Sequence, residues 1–212
     1  MATILFSSVV GSRVFGLDRE GSDHDIRGVW VKSVDDLLNP FEAIQRPATS
    51  KGKEDVYHHE LFHFLKLLGG QDLNAWQALL SRVGVHGEQA RHHLALIALR
   101  YILNPTTMLS MAKNSGWKTM REALNKESGK IATIAMRNVI FAQNVASGYY
   151  VSAFRLWDYE AGMRHLLEEW DEHEAHDLFL EILGRDITPI ENEYQGLQCA
   201  VQLREFYNLY AT

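Results

Sequence analysis

The 212-residue sequence holds a single cysteine, Cys199. That excludes an internal disulfide and fits a reducing compartment. No stretch reaches the roughly 18 apolar residues that a membrane-spanning helix needs. The start, Met1-Ala2-Thr3, has no basic segment, and the apolar run after it is broken by Ser7 and Ser8. It therefore lacks the form of a secretory signal. No internal repeat and no low-complexity tract is present. These absences predict a soluble, cytoplasmic protein with no membrane partner. What remains is ordinary globular material: 46% hydrophobic residues, enough for a packed core, in a length that suits one domain or two small ones.

The net charge of −6 is unevenly spread. Residues 1–82 carry 9 Lys/Arg against 11 Asp/Glu, residues 83–155 carry 9 against 3, and residues 156–212 carry 3 against 13. A basic middle beside an acidic tail suits a polyanion partner for the middle. It equally suits packing of the two segments on each other, and composition does not choose.

One stretch organises the chain, GSRVFGLDREGSDHDIRGVWV over residues 11–31. Gly11-Ser12 follows the apolar run that ends at Val10, and Asp23-His24-Asp25 opens a second apolar run from Ile26 to Val31. Alternation along a strand puts Asp23, Asp25 and Arg27 on one face and His24 on the other. Two neighbouring carboxylates repel each other as anions, and a divalent cation removes that repulsion. Short, stiff oxygen ligands suit Mg2+. Two such ions roughly 3.5–4 Å apart hold both oxygens of an in-line phosphoryl displacement. Gly11 lets a phosphate approach the backbone, and Ser12 falls where a short helix would start with free N–H groups. Either piece alone is an ordinary turn; together, in order and each beside a strand, they form a candidate site.

Strands are predicted over 3–10, 25–32 and 53–58. A helical turn capped by Ser33 covers 33–38, and a loop covers 41–52. From His59 the apolar period becomes helical, with a helix ended by Gly69-Gly70 and another, capped by Asn74, over 75–81. Helices are predicted at about 90–103, 106–126, 129–149, 159–183 and 189–209. The fold class is thus α+β: a small mixed-sheet domain over 1–82, then an all-helical region over 83–212 packing on it.

Gly-Ser, ten residues, then Asp-x-Asp resembles the signature of the polymerase-beta-type nucleotidyltransferase superfamily. The longer form, GSRVFG…SDHDIRGVWV, resembles its bacterial and phage predicted-nucleotidyltransferase branch, in which Ser-Asp-x-Asp-x-Arg-Gly-Val is characteristic. The likeness is strong over residues 1–82. It implies transfer of a nucleoside monophosphate from an NTP, ATP among them, to a hydroxyl, with two Mg2+ ions or Mn2+ in their place. Asp23 and Asp25 would bind metal, and Gly11 and Ser12 would hold the β- and γ-phosphates. Arg27 would touch a phosphate or pair with a carboxylate.

Two-metal work generally needs a third carboxylate, one that also takes the proton of the attacking hydroxyl. Asp55 is the candidate, on the predicted third strand just before a helix. The resembling family reads Asp-Val-x-x-Tyr/His-x-Leu-x-x-Phe-Leu-x-Leu there, and residues 55–67, DVYHHELFHFLKL, fit closely. The family's following Asn-Pro and Glu are replaced by Gln71-Asp72-Leu73-Asn74 and Gln77. Further on, Lys130 and Arg137 sit seven apart on one helix face. The family's Lys-x-x-x-His-x-x-Arg is similar, with Ile134 standing for the His. Both cations are second-rank phosphate ligands by this likeness. Lys113, Lys118, Arg121 and Lys126 add a candidate surface for a nucleic-acid acceptor.

Two competing readings stand beside this one. His59-Glu60-Leu61-Phe62-His63 is HExxH, which on a helix binds Zn2+ and supplies a general base. A metalloprotease needs a third ligand, for which Glu88 is a loose candidate, and it leaves Gly11-Ser12 and Asp23/Asp25 unexplained. The other reading is a binding or inhibitor protein that keeps the fold without turnover. The acceptor, an RNA end, a protein side chain or a small molecule, is not set by the sequence.

Overall fold

A computed structural model describes residues 2–33, 49, 54–192 and 196–210. The predicted turn over 33–38, apart from Ser33, and the predicted loop over 41–52, apart from Thr49, lie outside the described residues. The chain divides into two compact units. A sheet unit comprises Met1–Val14, Asp18–Leu103 and Asn192–Thr212; a helical unit comprises Phe15–Leu17 and Asn104–Glu191.

The sheet unit is built on four strands: β1 (Thr3–Val9), β2 (His24–Val31), β3 (Glu54–Glu60) and β4 (Gly84–His86), in the order β3-β2-β1-β4. β1 pairs antiparallel with β2 and β4, while β2 and β3 run parallel, so the sheet is mixed, as the α+β expectation requires. A register shift between Ile4 and Phe6 marks an irregularity in β1. β4 has only three residues, all exposed, and no apolar alternation announces it.

Among the described residues the sheet unit also holds the helices α1 (Leu61–Gly69), α2 (Leu73–Leu80), α3 (Glu88–Tyr101) and α8 (Gly196–Tyr210). The cap of α2 is Asp72, whose carboxylate accepts the Ala75 N–H at 2.9 Å. Asn74 lies inside the helix, which is capped two residues earlier than expected. Phe6 and Phe64 meet edge to face at 5.8 Å, both fully buried. Burying each ring contributes about 2–3 kcal/mol. Trp76, also fully buried, donates its indole N–H to the Leu68 carbonyl at 3.2 Å, and buried Gln71 donates to the carbonyls of Leu68 and Ile102. These polar groups enter the core only with partners, because an unpaired one costs more than its packing returns. α8 is tied in by the Tyr207 hydroxyl, which donates to the Lys32 carbonyl at 3.0 Å.

The helical unit contains α4 (Pro105–Lys126), α5 (Gly129–Ala146), α6 (Glu160–Glu168) and α7 (Glu172–Gly184), with two 3-10 turns, Tyr150–Ser152 and Trp157–Tyr159, after α5. The single helix expected over 159–183 is two. The first ends at Glu168, where Glu169 turns extended, and Asp171 caps the second, accepting the Glu174 N–H at 2.8 Å. Residues 189–192 of the helix expected from 189 are not helical, and a helix is described over Gly196–Tyr210. Phe141, Phe179 and Met120 are fully buried in this unit. No single helix among the described residues is long and apolar enough to cross a membrane.

Candidate functional site

The site residues of the sheet unit gather where β1 ends and the parallel strands β2 and β3 begin. β1 leads directly into a five-residue 3-10 turn, Gly11–Phe15, which bears out the expected short helix. The Val10 N–H donates to the Asp25 carbonyl at 2.9 Å, so the turn is pinned to the start of β2. Gly11 is buried with φ +80, and a Cβ built on it would lie 2.5 Å from Asp25 Oδ2. The Asp25 carboxylate therefore rests against bare backbone, a place where any side chain at 11 would sit. Ser12 follows, half-buried, in the turn.

Asp25 and Asp55 are register partners across the β2–β3 pair, as are Arg27 and Tyr57. Alternation puts all four on one face of the sheet. Arg27 binds Asp55: Nη2 lies 3.2 Å from Oδ2, and Nη1 donates to the Asp55 carbonyl at 3.1 Å. Of the two roles expected for Arg27, pairing with a carboxylate is the one observed here. The guanidinium also stands 6.0 Å from the Tyr57 ring. One cation thus offsets part of the repulsion between two carboxylates on adjoining strands. Asp23 lies just before β2 and is exposed. The loop leading to it is closed by Ser22, whose Oγ accepts the Arg19 N–H at 2.8 Å. Among the described residues the side chains of Asp23 and Asp25 have no hydrogen-bond or ion-pair partner.

The donor set is chemically suited to a hard divalent cation: carboxylate oxygens only, two of them at one register level, one resting on a glycine. No three His, Cys, Asp or Glu side chains among the described residues are drawn together as a formed metal site. Arg27 occupies one side of Asp55 in this arrangement.

Lys130 and Arg137 belong to the helical unit. Both lie on α5, Lys130 exposed in its first turn and Arg137 half-buried with its guanidinium carbon 5.4 Å from the Phe15 ring.

The HExxH reading fails on geometry. Its two histidines must lie one turn apart on one helix. Here His59 is on β3, Glu60 is the N-cap of α1, and only His63 is helical. Glu60 Oε2 accepts the N–H groups of Phe62 and His63, so it caps rather than faces a metal. The two imidazoles stack, with centroids 5.6 Å apart. Burial, with His63 and Arg27 nearby, pushes the His59 imidazole below its usual pKa. The acidic run Asp171 to Asp177 caps and lines α7 as a largely solvated face.

Two residues of this face carry no warning in the sequence. Tyr57 is exposed beside Arg27, and only its even spacing from Asp55 hints at it. Ser8 is fully buried opposite Arg27, and its Oγ has no hydrogen-bond partner among the described residues.

A family model described as RlaP, RNA repair pathway DNA polymerase beta family, matches residues 1–147. No curated protein and no solved structure matches the chain. The match spans the Gly11 turn, all three aspartates and the whole of α5, and on that ground the chain belongs to the RNA repair pathway DNA polymerase beta family, a polymerase-beta-like nucleotidyltransferase family.

Proposed function

We propose that the protein transfers a nucleoside monophosphate from an NTP to a hydroxyl of RNA and releases pyrophosphate. The observation that carries this is the register pairing of Asp25 with Asp55 beside the bare backbone of Gly11. In the reaction the acceptor oxygen bonds to the α-phosphorus, the bond from that phosphorus to the bridging oxygen breaks, and the hydroxyl proton leaves to a base. Asp55 is the base, on the strand that also presents Tyr57. Asp23, Asp25 and Asp55 would hold Mg2+, which supplies positive charge to the phosphate oxygens when bound. Gly11 permits close approach of the triphosphate, and Ser12 offers a hydroxyl and an N–H beside it. Arg27 steadies Asp55. The family's place in RNA repair favours RNA over the protein and small-molecule acceptors.

The test is to incubate the protein with each α-labelled NTP, Mg2+ and cellular RNA. Label in RNA that is absent with an Asp25→Ala, Asp55→Ala double variant supports the proposal. A second reading, a nucleotide-binding protein without turnover, draws on the Arg27–Asp55 ion pair, which keeps a ligand carboxylate engaged. No labelled acceptor above the double variant, with NTP binding intact, would favour it.

A further inference from the structure

A second cluster lies wholly within the helical unit, in the segment after α5 and at the end of α7. Arg155 and Arg185 both set their guanidinium groups against the indole of Trp157, with Cζ at 4.6 Å and 5.4 Å from the ring centroid. Tyr149 meets the same indole edge to face at 6.0 Å and is half exposed. The backbone carrying these groups is built around one residue. Asn144, 1% exposed, donates to the carbonyls of Ser152, Ala153 and Arg155 and accepts the Trp157 indole N–H at 2.9 Å. A loop held this way presents its side chains in fixed positions.

Three features separate the cluster from an ordinary surface stack. Trp157 has φ +56, a left-handed conformation that a bulky side chain adopts only under strain. Such strain persists where the surroundings enforce it, and it concentrates at ligand sites. Arg185 Nη1 is buried and has no hydrogen-bond partner among the described residues. A guanidinium cannot shed its proton to escape that cost, so what is missing is an acceptor. Finally, neither Arg155 nor Arg185 forms an ion pair among the described residues. Glu181 and Asp158 are close enough to hold the Tyr159 hydroxyl above its usual pKa, after burial as the main cause, with Arg185 opposing them. They leave both guanidinium groups unsatisfied by carboxylate.

The missing partner is an anion with several acceptor oxygens. Two guanidinium groups beside a π-face, with an exposed tyrosine next to it, match a phosphate joined to a base. A lone small anion would use the guanidinium groups and leave Tyr149 idle. We propose that Arg155, Trp157, Arg185 and Tyr149 bind the phosphodiester backbone and one adjoining base of single-stranded RNA. This deepens the transfer reading on which it rests, by naming a place in the helical unit that grips the acceptor strand. Arg155 and Arg185 make the phosphate contacts, Tyr149 stacks on the base, and Asn144 holds the loop in position.

The experiment is fluorescence anisotropy of the full chain with a labelled single-stranded RNA of about 12 nucleotides, without NTP or divalent metal. Arg155→Gln and Arg185→Gln are each expected to weaken binding about tenfold or more, and Arg185→Lys by less than Arg185→Gln. Indole fluorescence should fall on RNA addition, and Trp157→Phe should remove most of that change. Circular dichroism and the melting temperature confirm folding. Should Arg185→Gln not fold, exposed Arg155 carries the test alone. Affinities within about twofold of wild type for both arginine variants would overturn the site. So would a mononucleotide or inorganic phosphate that quenches the indole as tightly as RNA does, since the site would then serve small anions. The Asp25→Ala, Asp55→Ala variant should bind RNA as wild type does. If it also transfers label as wild type does, the transfer reading fails and the RNA site stands. If the arginine variants bind RNA normally while wild type transfers label, the RNA site fails and the transfer reading stands.

Discussion

Asp25 and Asp55, far apart in the sequence, face each other as register partners on two parallel strands, and Arg27 is ion-paired to the second of them. Replacing either aspartate by alanine removes a group that the proposed reaction needs in its transition state. Transfer of label from an NTP should drop by about 10³ or more, with the circular dichroism spectrum unchanged. Asp55→Ala also leaves Arg27 half-buried without its carboxylate, so this variant should melt below Asp25→Ala. Activity within about tenfold of wild type in both variants would remove these residues from the chemistry.

Divalent metal gives a separate readout. A ligand that binds only the folded chain stabilises it by mass action, by about 2.7 kcal/mol at a hundredfold excess over its dissociation constant. Adding Mg2+ to chelator-treated protein should raise the melting temperature of wild type. The Asp25→Ala, Asp55→Ala variant should show no such rise. An equal rise in both would place the metal elsewhere.

Gly11→Ala places a methyl group 2.5 Å from Asp25 Oδ2 on a backbone with φ +80. Strain of this kind costs about 1–3 kcal/mol, and relief requires moving the carboxylate. Both stability and label transfer should fall. A fully active Gly11→Ala would mean that the Asp25 position is not critical.

On the opposite face of β2, Gly28 lies under a contact between strands on either side of it. Ser7 Oγ and His58 Nε2 are hydrogen-bonded at 3.0 Å, and a Cβ at 28 would meet His58 Cδ2 at 2.5 Å, the Phe6 carbonyl oxygen at 2.6 Å and Ser7 Oγ at 2.7 Å. The carbonyl oxygen belongs to the sheet and cannot swing aside. Gly28→Ala should therefore destabilise by about 1–3 kcal/mol, as overpacked cores do. Urea unfolding reads this directly, and a midpoint unchanged from wild type would show that the two strands can part without cost.

Burial first, then His63 and Arg27, lowers the His59 pKa beneath 6.5, with Asp72 acting weakly the other way. Just below 6.5 the unfolded chain takes up a proton at this residue and the folded chain does not. Stability is thus full above that pH and declines as the pH drops below it, until the folded imidazole is protonated as well. The urea midpoint should fall between about pH 7 and pH 5.5, and fall less in His59→Gln. Equal losses in the two proteins would assign the dependence to other groups.

β1, β2, β3 and the acidic motif were legible because the information is local, whereas three exposed residues leave no pattern for β4. Gly11-Ser12 and Asp23-His24-Asp25 each abut an apolar run, and alternation alone puts Arg27 on the side of Asp25. Asp55 needed the resemblance, since nothing in its neighbourhood states which strand it will pair with. HExxH misleads for the opposite reason: the spacing is helical, but the first histidine ends a strand and the glutamate caps the helix that follows. The break at Asp171 was readable from its capping pattern with Glu174, yet the continuous apolar period on both sides hid it. Trp157 and Asn144 could not be found from sequence, because positive φ at a tryptophan and a polar hub inside α5 both arise from tertiary packing.

α8 has a consequence for how the molecule is made. Residues 196–210 complete the same compact unit that begins with β1, with Tyr207 bonded to the end of β2 and Phe206 fully buried. During synthesis the sheet unit therefore waits, unclosed, until the helical unit has already emerged from the ribosome. A nascent chain stalled before α8 would leave the seat of Phe206 open to solvent, and recognition by chaperones should concentrate there.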